Sequence, residues 1–438
     1  MDTHSRMVDT THQGMPRKAA FSSAMGSVLE WLDFTAYGVV SATVFPKLFF
    51  PTLDPNSALL ASFATFGVGF FARPAGGVLF GLLGDRIGRK QVLMITFLLM
   101  GFSSLLIGLM PPYAVIGIWA PILIVALRFM QGFALGGEAT GAQLFTMEHA
   151  PADKRGLFGS FINLAAPASQ VLANGLLFAI AATMSELQFE SFGWRIPFLL
   201  SIFLIVLGAY IRTRVTETPA FKALKERQSQ IRSNEQEKSD RKNWPTIIRL
   251  ILFWAAPCTC YYVVTVFSIS YLGSQNDLPK QTIFLCLMAA NAVAVCLTLA
   301  GGYASDQFGR KPALITAALV VLAVMPFYFS IMNTGNALFV FAAMSLVVGA
   351  IQAQSGILPA FFAEQFPTSS RYSGSALAYT GANLIFAGPT PFVATWVMHE
   401  SRGGTYWLTA ICMALIVISF AALLASPETR YVDINAPE

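Results

Sequence analysis

The sequence predicts an all-α membrane protein, with twelve transmembrane helices arranged as two pseudo-symmetric six-helix bundles. Composition is the first reason. Of 438 residues, 55% are hydrophobic and only 12% charged, with a mean hydropathy of +0.60, whereas soluble domains run near 25% charged. The second is a repeat: Gly81-Leu82-Leu83-Gly84-Asp85-Arg86-Ile87-Gly88-Arg89-Lys90 recurs 221 positions on as Gly302-Tyr303-Ala304-Ser305-Asp306-Gln307-Phe308-Gly309-Arg310-Lys311. An offset of about half the chain makes it a duplicated unit, hinged in its middle. The third is where the cations fall, which is taken up once the spans are placed.

Windows of about 20 apolar residues, enough to cross a ~30 Å hydrocarbon core, fall at 20–46, 59–83, 92–110, 117–147, 157–182 and 194–213, then at 246–272, 281–304, 313–331, 335–363, 370–397 and 405–425. Residues 1–213 form the first bundle, 214–244 a cytoplasmic linker rich in Lys, Arg, Glu, Gln and Ser, and 245–438 the second bundle. Met1 to Lys18 is polar and is followed by a segment too long for a signal core, so the first helix is expected to be retained. Of 28 Lys and Arg, 22 lie on one side of these spans, four (Lys47, Arg195, Lys280, Arg402) on the other, and two (Arg73, Arg128) inside. By the positive-inside rule both termini are cytoplasmic, and the basic balance reflects topology rather than nucleic-acid binding. The turn after span four (Glu148, Pro151, Arg155) recurs after span ten (Glu364, Pro367, Arg371).

Charge inside a span is costly, so ionisable residues there are expected to face a cavity or a partner. Glu30, Asp33 and Tyr37 stack on one face of span one. In span four Arg128, Gln131 and Glu138 share a stripe, with Gly132, Gly136 and Gly137 between them to admit neighbouring backbones. Counting from the outer ends puts Asp33, Arg128 and Arg73 at similar depth, with Glu138 about 15 Å nearer the cytoplasm. Uncharged cavity candidates are Asn163, Gln170 and Asn174 in span five, Tyr261 and Tyr262 in seven, Asn291 in eight, Gln352 in ten, and Tyr379 with Asn383 in eleven. An enzyme is disfavoured: no nucleophile has a base at useful spacing. The four histidines (His4, His12, His149, His399) lie near ends or loops, and no metal-ligand spacing is present. The five cysteines fall within spans and read as buried free thiols.

The duplicated loop, the Arg128 to Glu138 stretch, Glu30-Trp31-Leu32-Asp33-Phe34, Ala72-Arg73-Pro74 and Gly193-Trp194-Arg195-Ile196-Pro197-Phe198 together resemble the metabolite:proton symporter family of the major facilitator superfamily. Its members carry shikimate, 2-oxoglutarate, citrate, dicarboxylates, proline or betaine. The resemblance implies a proton-coupling role for the Arg128 motif. It also implies a conformational latch made of Gly81, Asp85, Arg86, Gly88 and Arg89, with the second copy supplying Asp306, Gly309 and Arg310. Three positions depart from the pattern: Leu32 stands where Tyr is common, Ala139-Thr140-Gly141 where Trp-Gly-Gly is common, and Gln307 where the first copy has Arg86, which predicts a weaker second latch.

The expectation is a proton-coupled importer of a small carboxylate in a bacterial inner membrane, working as a monomer among lipids, with the proton gradient and no cofactor as its energy source. Glu30, Asp33, Arg128 and Glu138 are its proton-coupling candidates. Burial favours the neutral acid and Arg128 the charged one, so proton and anion can exchange partners. Arg73, Arg128, Tyr37, Gln131 and the uncharged candidates are its substrate contacts. Proline or betaine symport is the alternative, and a proton-coupled exporter a more distant one.

Overall fold

The computed structural model describes residues 28, 31–87, 89–136, 147, 150–214, 235–275, 278–367 and 370–432. The first pass, α1, is helical over 31–43. It is followed by α2 (Pro55–Ile87), α3 (Arg89–Leu109), α4 (Trp119–Gly136), α5 (Arg155–Thr183) and α6 (Ile196–Arg214). The second half begins with α7, which runs Glu235–Tyr262, passes through a π-helical turn at Val263–Phe267 and ends as Ser268–Gln275. Then come α8 (Lys280–Phe308), α9 (Arg310–Met332) and α10 (Ala337–Ala363). In α11 a π-helical turn, Asn383–Ala387, separates Arg371–Ala382 from Thr390–Glu400, and α12 is Tyr406–Leu424. All twelve expected passes are represented.

Three details sharpen the sequence reading. The last ten residues of the 214–244 linker are helical and continuous with α7. The duplicated motif was read as a connecting loop, whereas α2 stays helical through Ile87 and α3 resumes at Arg89, just as α8 runs to Phe308 and α9 begins at Arg310. Charged residues can extend a helix beyond the hydrocarbon into the interface, so polarity there marked depth rather than loop. Gly309, at φ +105°, makes the whole turn in one residue, a conformation only glycine adopts without strain. Finally, Cys296 is exposed on the flank of α8, while the other four thiols are buried.

The packing repeats with the sequence. In the first half α2 lies against α4, and in the second α8 lies against α10. Both contacts are backbone-close. A Cβ on Gly132 would strike the Gly69 carbonyl and one on Gly136 the Arg73 carbonyl; likewise one on Gly301 would strike Ala353 and one on Gly356 Thr298. With no hydrophobic driving force between helices in lipid, small residues that admit such approach supply the packing. The halves meet through α5 against α8 and α10, and through α2 against α11. Gly67 and Gly388 carry the second contact, a Cβ on Gly67 lying 3.2 Å from the Gly388 carbonyl oxygen.

Candidate functional site

Arg128 of α4 is fully buried among aromatic rings, its guanidinium carbon 4.0 Å from the centroid of Phe34, 4.1 Å from Tyr37 and 5.1 Å from Phe66. Gly69 makes the room, since a Cβ there would lie 2.9 Å from Arg128 Nε. One edge of the guanidinium is committed: Nη1 donates to Gln131 Oε1 at 2.7 Å, and Gln131 Nε2 donates in turn to Ser104 Oγ. The other edge, Nε and Nη2, has no partner. That is the side-on geometry with which arginine grips a carboxylate through two parallel bonds.

Asp33 of α1 is 3% exposed, stands beside Ser104 and Ser201, and leaves Oδ1 unpartnered. Arg128 acts on it electrostatically, yet among the described residues no ion pair joins the two. Arg73 of α2 lies over Phe70 (4.4 Å), Phe34 (4.7 Å) and Trp31 (5.8 Å), within electrostatic reach of Arg128, Tyr262 and Tyr379. The three groups placed at one depth by counting are thus brought together.

The second bundle closes this cluster with uncharged groups. Tyr262 packs on Phe66 (5.7 Å) and Phe70 (5.5 Å), and Tyr261 lies edge-on to Tyr262 at 5.3 Å, next to Gln170 and Gln352. Both tyrosines precede the π-helical turn of α7. Wide turns of this kind concentrate at functional sites, and here Thr265 Oγ1 donates to the Tyr261 carbonyl just before the turn and Ser268 Oγ, just after it, to the Val263 carbonyl. Asn383 opens the π-helical turn of α11, donates to the Tyr379 carbonyl at 2.8 Å and meets Cys258 Sγ at 3.9 Å.

Several expected contacts have their polar groups engaged within the protein. Gln131 is bound between Arg128 and Ser104, and Tyr37 ties its hydroxyl to Thr65 Oγ1 at 2.6 Å while its ring faces Arg128. Asn163 is outside the central cluster. Its amide donates across the bundles to the Ser355 carbonyl, on the basic side of the site. Glu30, Glu138 and Gly88 lie outside the described residues, as do the side chains of Asp85, Arg86 and Arg89; Gly81 is an exposed position of α2 with open space around it.

The second motif copy is engaged at Asp306 and Arg310; its strength relative to the first copy turns on side chains outside the described residues. Asp306 accepts from the backbone N–H groups of Gly156 (2.9 Å) and Leu157 (2.8 Å) at the start of α5, in the other bundle, where a helix N-terminus favours an anion. Arg310 pairs with Asp306 and also with Glu364, at 3.1 Å from Nη2. Thr429 donates to Glu364, and the Glu428 carboxylate caps the first N–H groups of α9, those of Arg310 and Lys311, both at 2.8 Å.

Sequence reasoning missed two groups. Phe34, Phe66, Phe70 and Gly69 shape the arginine cage, but among 37 phenylalanines nothing separates cage from lipid surface. At the outer end, Lys280 of α8 binds Glu186 (2.8 Å) and Glu190 (3.1 Å) of the short helix Glu186–Ser191, and Lys47 binds Glu190 (2.6 Å). In the sequence both lysines are only markers of topology.

The major facilitator family model matches residues 23–389. The chain belongs to the major facilitator superfamily. It is 35% identical over 420 residues to the inner membrane metabolite transport protein YhjE of Escherichia coli (strain K12), covering 94% of each chain. It is 35% identical over 418 residues to the shikimate transporter of the same organism (94% and 95%), and 33% identical over 435 residues to the proline/betaine transporter of Salmonella typhimurium (95% and 84%). Its fold matches the partially occluded inward-open conformation of the xylose transporter XylE from E. coli, with a TM-score of 0.75 at 18% identity, over 94% of this chain and 98% of that one. This superfamily member is therefore a multi-pass transporter of a bacterial inner membrane and not an enzyme.

Proposed function

We propose that the protein imports a small carboxylate together with a proton by alternating access. The observation that carries this reading is the unpaired Nε–Nη2 edge of Arg128, fully buried beside an unpaired Asp33 oxygen. A buried guanidinium with half its donors idle is costly, and a carboxylate on that edge offsets the cost with two charge-assisted bonds. Asp33 takes the proton while the substrate occupies Arg128, and the two are released together on the basic side. Arg73 adds positive potential to the same pocket, and Tyr261, Tyr262 and Tyr379 close it from the second bundle. Asp306, Gly309 and Arg310 hold the basic-side end shut while the outer end is open.

Symport of proline or betaine is the second reading, favoured by relatives of 33% identity that bear that name; their carboxylate would use the same edge. The test is uptake into proteoliposomes under an inward proton gradient, with labelled shikimate, 2-oxoglutarate, citrate, proline and betaine. Accumulation of one acid that collapses with a protonophore supports the first reading. Uptake of only proline or betaine supports the second. Uptake indifferent to the protonophore contradicts both.

A further inference from the structure

Among the described residues no ion pair joins Asp33 to Arg128, and what does join them has a direction. Arginine carries donors only, so the bond from Arg128 Nη1 at 2.7 Å fixes the Gln131 amide with its oxygen toward the guanidinium and its nitrogen toward Ser104. Ser104 Oγ accepts from that nitrogen, and its own hydrogen has to point elsewhere. Ser103, one residue before it, spends its hydroxyl on the Leu99 carbonyl one turn back in α3. Ser104 makes no such bond among the described residues, and the acceptor beside it is the Asp33 carboxyl. Ser201 also stands beside Asp33, but its hydroxyl donates to the Phe198 carbonyl. The hydrogens thus run one way, from Arg128 through Gln131 and Ser104 to Asp33. All four side chains are buried, where hydrogen bonds gain strength and bonds in series polarise one another. The other titratable or charged groups around Arg128 are Tyr37 of α1, Arg73 of α2 and Tyr262 of α7; among the described residues Arg128 is the charged group that acts on Asp33.

We propose that Gln131 and Ser104 are positioning residues for coupling, a one-way hydrogen-bond relay through which anion binding at Arg128 and protonation at Asp33 act on each other. This rests on the proton and carboxylate reading given above. With no ligand, the guanidinium heads the chain and the Ser104 hydroxyl at its end serves a charged Asp33. A carboxylate on the Nε–Nη2 edge draws positive potential away from Nη1, the chain slackens, and Asp33, with one oxygen already unpartnered, takes up a proton. The effect is reciprocal: a proton on Asp33 removes the charge that the chain serves and leaves the guanidinium to the anion. Because Nη1 is held on Gln131, the arginine is not consumed by a direct ion pair with Asp33.

The test is exchange of labelled for unlabelled shikimate, 2-oxoglutarate and proline, each in turn, in proteoliposomes with the same pH on both faces. The two settings are about pH 6 and about pH 8.5, where carboxylic acids of ordinary pKa stay ionised. For wild type, the half-saturating concentration should be lower at the acid setting by about fivefold or more. Ser104→Ala and Gln131→Met should each narrow that gap to about twofold or less, and Ser201→Ala, off the relay, should keep it. Ser104→Thr, which restores a hydroxyl, should restore the gap. Variants that raise the half-saturating concentration equally at both settings, keeping the gap, would assign Gln131 and Ser104 to packing and overturn the inference while leaving the reading beneath it intact. Loss of exchange in Ser104→Ala that Ser104→Thr does not repair would overturn it too. A wild type that shows no gap, or that exchanges none of the three compounds, would instead overturn the reading on which it rests.

Discussion

The two ends of the α5–α8 contact are closed by charge in opposite ways. At the outer end the closing groups are in water: Lys280, Glu186, Glu190 and Lys47 retain side-chain exposures of 26%, 69%, 22% and 62%. At the basic end Asp306, Arg310 and Glu364 retain 3%, 0% and 1%, and the acid is seated on a helix N-terminus. Exposed pairs contribute about 0.2–1 kcal/mol and are screened by salt. Breaking one partner out of a buried network costs about 3–5 kcal/mol because the rest is left unpaired. The difference teaches that the outer pairs oppose separation of the bundles weakly, whereas at the basic end a charged acceptor held in a buried network must give up its two bonds from α5; in the proposed cycle, binding of ligand and proton offsets that loss.

This contrast can be broken most forcefully from the buried side. Asp306→Asn is expected to weaken the closed basic end by about 1.5–3 kcal/mol, the worth of a hydrogen bond to a charged group, since its bonds to Gly156 and Leu157 cross to the first bundle while its ion pair does not. A cysteine at Ser160, whose Cβ lies 2.6 Å from where a Cβ on Gly302 would sit, should then become labelled by a thiol reagent added to that side, and proton-driven uptake should fall at least tenfold. Unchanged labelling would mean that the end is held by packing alone. Gly156→Val is expected to act next most strongly, about 1–3 kcal/mol by overpacking, since even a Cβ there meets Ser305 Oγ and comes within 2.5 Å of the Gly302 carbonyl. Uptake should drop while the melting temperature of the purified protein changes little, the bundles resting apart.

The outer end should respond more gently. Glu190→Gln removes the acceptor shared by Lys47 and Lys280, and a two- to fivefold rise in outer-side labelling is expected in low salt. In 1 M salt, where screening acts over about 3 Å, wild type and variant should become alike; a persistent difference would mean that the pairs are better shielded than their exposure implies. The smallest effect concerns pH. Burial pushes the Glu190 carboxyl up, but bonds from Lys47 and Lys280 outweigh it and leave the group below its ordinary value of 4.5; the Lys280 bond does the same for Glu186. A lowered carboxyl stabilises closure fully above 4.5 and loses that contribution only as pH falls through its lowered value. Outer-side labelling should therefore be flat from pH 8 to pH 5, and a change inside that window would place a proton sensor at the outer end.

Much of the architecture was legible because the bilayer imposes it. Span length, the duplicated glycine-and-charge motif and the segregation of cations each follow from one strong constraint, and Arg128, Arg73 and Asp33 stood out because charge at mid-membrane needs a reason. What stayed hidden depends on azimuth rather than depth. Asn163 and Asn174 are both asparagines of one helix, yet one bonds the Ser355 backbone and the other bonds Gln170 and keeps a buried oxygen without a partner. Phe66 and Phe70 face the arginine cage while Phe71 lies 60% exposed, a distinction that hydropathy does not contain. The outer ion cluster joins residues 90 or more positions apart, from connections whose charges are unremarkable singly.

The central claim, that Asp33 carries the proton that drives accumulation of a carboxylate held by Arg128, is met most directly by comparing two assays on one variant. In proteoliposomes containing Asp33→Asn, exchange of labelled for unlabelled substrate at equal concentration should persist, because Arg128 still binds the anion and the bundles still rock. Accumulation driven by an inward proton gradient should be lost. Retention of proton-driven accumulation by Asp33→Asn would contradict the assignment.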